Sequence, residues 1–511
     1  MSASSDLIGS IDQGTSSTRF VVFDSKDAKQ VTYHQIEVKR FYPKESWCEE
    51  DPLEILQSVH VCIEKAVDNL KALGISPERI KGIGLTNQRE TIVVWDKTTG
   101  KPLYNTIQWL DLRAVPLVQG FIDKTPTKNL DAFRPITGLP IYTSSIIRFR
   151  WLVDNVPEVK RAVEEGRCYL GTIDAWLLWN LTGGLDGGRH ISDVTNASRM
   201  SVMNINTMEW DDSLCEFYGI DKKVLPEITS SAEIYGNMNE GPLKGIPLAG
   251  NVGDQQGALL GQLCFKPGQG KITYGTAACL CVNTGERCVK STQGLITAPA
   301  YQLGPDKPVI FLLEGDIPVA GACVRWLRDN LGIIKTAEEV DMFASKVNST
   351  HGCYFAPFFS GLYFPDWEND ARGIICGLSS FTRKEHICRA ALESVCFQAK
   401  QMIDAVAVDA GVQLTSIKVD GGMVASDTLM QLQADISGCD VLRPVMQETT
   451  ALGAAICAGI ALGVWDVEST KQEIRDTFRS AVSSEEREVR FSRWHEAVRR
   501  CRHWVPAGSV I

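Results

Sequence analysis

The segment Asp12-Gln13-Gly14-Thr15-Ser16-Ser17-Thr18-Arg19 sets one carboxylate directly before a turn rich in glycine and hydroxyls. Successive backbone N–H groups in such a turn can face phosphate oxygens, with Thr15, Ser16, Ser17 and Arg19 around them. Asp12, at a strand end, can hold Mg²⁺ through water, since magnesium keeps several waters and takes one or two carboxylates. No Gly-Lys-Ser or Gly-Lys-Thr follows, so this is not a Walker loop. A plain β-hairpin with a polar turn explains the same residues, and the segment alone does not separate the two readings. Gly275-Thr276, after the run Lys271 to Tyr274, is a second turn of the same kind. Paired with the first in a duplicated plan, it completes a phosphate clamp with one hairpin from each half. Val419-Asp420-Gly421-Gly422-Met423 puts two glycines at a strand end, where the backbone can pass close to a flat group such as adenosine. A Gly-rich strand-to-helix turn is the plain alternative there.

These turns need strands and helices to hold them. Leu7 to Ile11 and Arg19 to Phe23 read as two short strands, and the alternation of Val31 to Phe41 reads as a third. Asp51-Pro52 is a helix start, with an acidic cap and proline at the first helical position, and the helix stops near Gly74. Ile80 to Thr86 is a strand again. The order recurs in the second half: strands at Gly270 to Thr276, Cys279 to Thr284 and Ile417 to Asp420, and helices at Glu314 to Leu331, Glu338 to Lys346, Arg383 to Ala410 and Ser426 to Ser437. This alternation is an α/β signature with a mixed sheet. The chain reads as two copies of one plan, residues 1–252 and 253–511, with the break and a hinge at Gly250 to Gly253.

The size agrees, because 511 residues exceed what one core holds. A net charge of -10 argues against a nucleic-acid partner, which needs a basic face. The 16 cysteines are scattered, with no CxxC pair, and the seven histidines form no ligand pairs, so spacing offers no zinc site. Cys279 and Cys281 are too close in sequence for a structural bridge. Thiols in apolar runs suit a reducing compartment. Met1 to Asp6 shows no secretory signal and Ser509-Val510-Ile511 is not a peroxisomal address, so a cytoplasmic location is expected. Thr450 to Trp465 is weakly polar but short of a membrane span and reads as a helix buried on all sides.

The chain resembles the FGGY carbohydrate kinases over nearly its whole length. The stretch Gly373 to Gly377, then His386-Ile387 and Ala390-Ala391-Leu392-Glu393, is similar to that family's second signature. Thr86-Asn87-Gln88-Arg89-Glu90-Thr91, Trp109 and Gly253-Asp254-Gln255-Gln256 resemble the branch that phosphorylates glycerol. The resemblance implies two actin-like (ribonuclease H-like) ATPase domains with a central cleft, ATP and Mg²⁺ as donor and cofactor, glycerol as acceptor, and a homo-oligomer, with a dimer the first expectation. It implies Arg89 and Glu90 on the polyol hydroxyls and Trp109 on its carbon chain. It makes Asp254 the catalytic base, with Gln255 beside it. It places Thr15, Arg19, Thr276, Gly321, Gly422 and Met423 at the nucleotide. The sequence departs from the pattern at Tyr142, in a shortened stretch where a substrate tyrosine belongs, and at Cys279, where a pocket phenylalanine belongs. It departs also at Arg325 and Ser426, which stand for a glutamine and an asparagine near the nucleotide. Kinases of other polyols or sugars, and non-catalytic actin-like ATPases, are the alternatives.

Overall fold

The computed structural model describes residues 5–359, 361–368, 370–467 and 470–505; the C-terminal tripeptide Ser509-Val510-Ile511 lies outside them. Leu7–Gln13 pairs antiparallel with Ser17–Asp24 and parallel with Ile80–Asn87, which returns after the helix Pro52–Ala72. Asp51 caps that helix by accepting from the Leu53 N–H, with Pro52 opening it. Gln30–Glu37 and Pro247–Gly253 extend the sheet on its two sides.

The second sheet repeats this arrangement. Gly270–Tyr274 pairs antiparallel with Ala278–Gly285 and parallel with Ser416–Asp420, which returns after the helix Lys384–Ala410. Asp440–Pro444 follows in parallel on one side, and Val309–Ile317 lies antiparallel on the other. The duplication therefore holds strand by strand, and the fold is a two-domain α/β architecture.

One expected helix is partly a strand. Glu314 to Ile317 closes the strand Val309–Ile317, and the helix runs only over Gly321–Asp329. The duplicated plan demands a third antiparallel strand there. Pro318 also removes an N–H and would clash inside a helix begun at Glu314. The strand Ile296–Gln302 beside it was not anticipated. The buried helix is shorter than read, Thr449–Ala461. It comes from the second half of the chain but lies on the first sheet, against Ile80–Asn87 and Pro247–Gly253. It crosses the helix Asp254–Gly261 with backbones touching, since a Cβ at Gly453 would collide with the Gly257 carbonyl. This crossing joins the two sheets, since Asp254–Gly261 also packs on Gly270–Tyr274 of the second. Among the described residues no helix is long and apolar enough to cross a membrane.

Candidate active site

The first hairpin turns after Gln13, one residue beyond Asp12, with the Gly14 N–H on the Ser17 carbonyl at 2.9 Å. Asp12 is buried, and its nearest cation is Arg19, whose Nη1 lies 3.3 Å from Asp12 Oδ2 and 3.4 Å from Glu448 Oε2. Burial pushes the Asp12 carboxyl up to about 6; Arg19 opposes the shift, while Glu448 and Asp254 add to it. Thr15 is tied to Trp109, whose indole Nε1 donates to the Thr15 hydroxyl at 3.1 Å. The turn also presents exposed Ser16 and buried Ser17.

Arg89 and Glu90 leave the end of Ile80–Asn87. Glu90 sits at φ +68°, a left-handed conformation that non-glycine residues adopt at a cost and that clusters at functional sites. Arg89 closes its fork on Glu314, with Nη1 and Nη2 donating to the two carboxylate oxygens at 2.7 and 2.8 Å. Its Nη1 is also 3.2 Å from Gln256 Oε1, and its Nε is 3.3 Å from Asp254 Oδ1. Burial alone would raise the Glu314 carboxyl, but Arg89 and Arg199 hold it at about 2. Glu90 accepts from Arg199 Nε and Nη2 at 2.8 and 2.6 Å. Arg148 donates to the Trp109 carbonyl at 2.5 Å, while its Nε and Nη1 and the Ser144 hydroxyl are buried with no hydrogen-bond partner among the described residues. Tyr142 lines the same wall, its ring 5.8 Å from the Arg199 guanidinium and 6.2 Å from Trp367. Burial, with Glu90 adding to it, holds the Tyr142 phenol well above the ordinary range.

Asp254 opens the helix Asp254–Gly261 from its first turn, with Gly253 in the cap position and no side-chain cap bond. Its Oδ1 accepts from the Gln255 N–H at 2.7 Å, and its side chain keeps 27% exposure. The residue is therefore not the cap, and its carboxylate is partly exposed. Burial raises its pKa against Arg89 and Lys271, which act to lower it. Gln255 accepts from Lys271 Nζ at 2.6 Å, linking this helix to the second sheet.

The second hairpin gathers the remaining residues. The Gly321 N–H donates to the Gly275 carbonyl at 3.0 Å, the Ala322 N–H to the Thr276 carbonyl at 3.0 Å, and Arg325 Nη1 to the Thr276 hydroxyl at 3.2 Å. A Cβ on Gly321 would stand 2.7 Å from the Gly275 carbonyl and 3.4 Å from Met423 Sδ, so Gly275, Gly321 and Met423 meet at one point. Gly422 opens the short helical turn after Ser416–Asp420. Ser426 lies further along and is occupied, accepting from the Leu429 N–H at the helix cap and donating to Asp341.

Sequence reasoning missed Glu314, Arg148, Arg199, Lys271 and Glu448. A carboxylate directly after the apolar run Val309 to Leu313 was a legible sign of a buried, paired charge. Reading that stretch as a helix start hid it.

The family described as "FGGY family of carbohydrate kinases, N-terminal domain" matches residues 7–261, and its C-terminal domain matches residues 270–462. The chain belongs to the FGGY family of carbohydrate kinases. It is 46% identical to a glycerol kinase of Arabidopsis thaliana over 98% of both chains, and 44% identical to a probable glycerol kinase of Caenorhabditis elegans over 98% of this chain and 99% of the other. The crystal structure of Plasmodium falciparum glycerol kinase with ADP superposes with a TM-score of 0.90 at 37% identity, covering 98% of each chain. A gluconate kinase from Lactobacillus acidophilus shares the fold, with a TM-score of 0.83 at 21% identity.

Proposed function

We propose that this chain transfers the γ-phosphoryl group of ATP to a terminal hydroxyl of glycerol, giving sn-glycerol 3-phosphate and ADP. The observation that carries the reading is the placement of Asp254. Its partly exposed carboxylate stands between a wall of buried hydroxyl-binding groups and two hairpins with exposed turn residues. Glycerol kinases supply the full-length likeness.

Glu90 gives glycerol an acceptor, and Arg148, whose Nη1 stands 3.9 Å from Glu90 Oε2, gives donors with no hydrogen-bond partner among the described residues, so adjacent hydroxyls find a partner of each kind. Trp109 covers the carbon chain. Arg89 orients Asp254 from 3.3 Å, and Glu314 fixes Arg89 in turn. As the new P–O bond forms, Asp254 accepts the proton of the attacking hydroxyl. Phosphoryl transfer asks mainly for positioning and charge stabilisation, which the two turns and Arg19 supply.

The residues fit a magnesium ion. Glu448 and Asp254 both act electrostatically on Asp12, whose nearest cation is Arg19, and the Asp12 carboxyl is raised to about 6, a cost that a divalent cation relieves. Asp12 would hold it through water; bound there, it supplies charge neutralisation at the β- and γ-phosphate oxygens.

Asp254→Asn tests the reading. Asparagine keeps the hydrogen bonds but takes no proton, so kcat should fall by about 10²–10⁴ with glycerol binding retained. A variant with near-normal kcat would overturn the assignment.

A further inference from the structure

Cys279 and Cys281 lie two residues apart on the strand Ala278–Gly285, so their side chains share one face. The register sets Cys281 opposite Glu314 and Cys279 opposite Asp316 on the neighbouring strand. The two Sγ atoms are 3.7 Å apart, and the Sγ atoms and a Glu314 carboxylate oxygen all lie within 4.8 Å of one another. We propose that Cys279, Cys281 and Glu314 form a binding site for a soft divalent cation of the zinc class, and that its occupation inhibits phosphoryl transfer.

The distances suit this ion. A tetrahedral centre with metal–sulfur bonds of about 2.3 Å has a sulfur–sulfur edge of about 3.8 Å, close to the separation already present. Two thiolates and one carboxylate leave a fourth position open. Among the described residues Cys279 Sγ meets the Leu280 carbonyl at 3.9 Å, Cys281 Sγ at 3.7 Å and the Asp316 carboxyl, to which it hydrogen-bonds.

The surrounding cations do not forbid it. Lys271 pairs across the sheet from Cys281, and Arg89 and Arg199 face Glu314. Binding releases one proton from each thiol to solvent and forms two metal–thiolate bonds. The incoming charge of two is thus matched by two protons leaving, and the net charge that these cations meet is unchanged. Glu314 need not leave Arg89 either, because a carboxylate offers about four lone-pair sites. An arginine hydrogen-bonded to a ligating carboxylate is an ordinary outer partner of a metal.

Of the three ligands only Cys279 keeps any exposure, 6%, so entry is past Cys279. The ion would sit one guanidinium away from the catalytic carboxylate, since Arg89 touches both Glu314 and Asp254. Constraining Glu314 then shifts the group that orients Asp254, hence the inhibition.

Cadmium is the probe, because each cadmium–thiolate bond adds an ultraviolet charge-transfer band. Titration of the full chain with Cd²⁺ alone should give a band that saturates at one equivalent. Cys281→Val and Cys279→Val should each abolish it, while intact near-ultraviolet circular dichroism shows that the variants fold. A band of unchanged size in both variants, or none in the parent, overturns the proposal. Zn²⁺ should inhibit the parent in the presence of excess Mg²⁺, be reversed by chelator, and inhibit Cys281→Val at least tenfold more weakly. Equal inhibition of parent and variant would place the effect at Asp12 instead and overturn the inhibitory role. The binding arm stands apart from the phosphoryl-transfer reading, and only the inhibition arm rests on it.

Discussion

Replacing Glu314 with glutamine should damage both stability and the polyol side of catalysis. The carboxylate is fully buried, takes both terminal nitrogens of Arg89 at 2.7 and 2.8 Å, and lies 3.4 Å from Arg199 Nη1. Glutamine keeps one acceptor oxygen but points an NH₂ at a guanidinium donor and deletes the charge. Breaking a buried pair on one side costs about 3–5 kcal/mol. Asp254 at 3.3 Å and Gln256 at 3.2 Å remain on Arg89, so the low end applies, about 3 kcal/mol. Urea unfolding should show that loss as a lower midpoint with unchanged slope. The same displacement of Arg89 acts on Asp254, so kcat/KM for glycerol should fall by about 10², the scale of a misplacement of about 1 Å at the reacting centre. The KM for ATP should move little, because Glu314 touches no residue of the second hairpin turn. A variant that loses under about 1 kcal/mol, the value of an exposed pair, and keeps kcat/KM would refute the claim that Glu314 fixes the site.

Further outcomes follow from the same geometry. Asp12→Asn should raise the Mg²⁺ requirement of the reaction, read from Mg²⁺ titrations of the rate. It should also stabilise the metal-free protein near pH 8. The raised Asp12 carboxyl favours the folded state below its unfolded value of 3.8 and loses that contribution as pH rises through about 6, which leaves a cost on the order of 2–3 kcal/mol for the variant to remove. A lower melting temperature for Asp12→Asn at pH 8 would contradict this. Because burial raises the Asp254 carboxyl, the acid limb of the kcat profile should lie above the ordinary 3.8, falling as pH drops through the raised pKa; a limb at or below 3.8 would deny Asp254 the role of base. Gly453→Ala should cost several kcal/mol in thermal unfolding, since its Cβ meets the Gly257 backbone rather than a movable side chain. Glycerol with a non-hydrolysable ATP analogue should compact the molecule in small-angle scattering; an unchanged radius of gyration would argue against closure about the cleft.

The hairpins, both returning strands and the helices flanking them were legible because each is local: a strand pattern, a glycine turn, a capped start such as Asp51-Pro52. The candidate site was legible only where residues sit in contiguous runs, as in Arg89-Glu90 and Asp254-Gln255. Glu314, Arg199 and Lys271 act on those runs from 225, 109 and 16 positions away, and nothing in their immediate neighbours announces it. The helix misread at Glu314 has the same origin. Local propensity permitted it, and the pairing of Val309–Ile317 with Ala278–Gly285, a tertiary fact, excluded it. The crossing of Thr449–Ala461 onto the first sheet was equally hidden, because a glycine at position 453 shows its reason only once Gly257 lies against it.

The most direct test of the central claim is ADP formation from ATP and Mg²⁺ by the purified chain, with and without glycerol. The rate should rise and saturate with glycerol, with one glycerol 3-phosphate formed for each ADP. ADP release at the same rate without glycerol, or no release at any glycerol concentration, would contradict it.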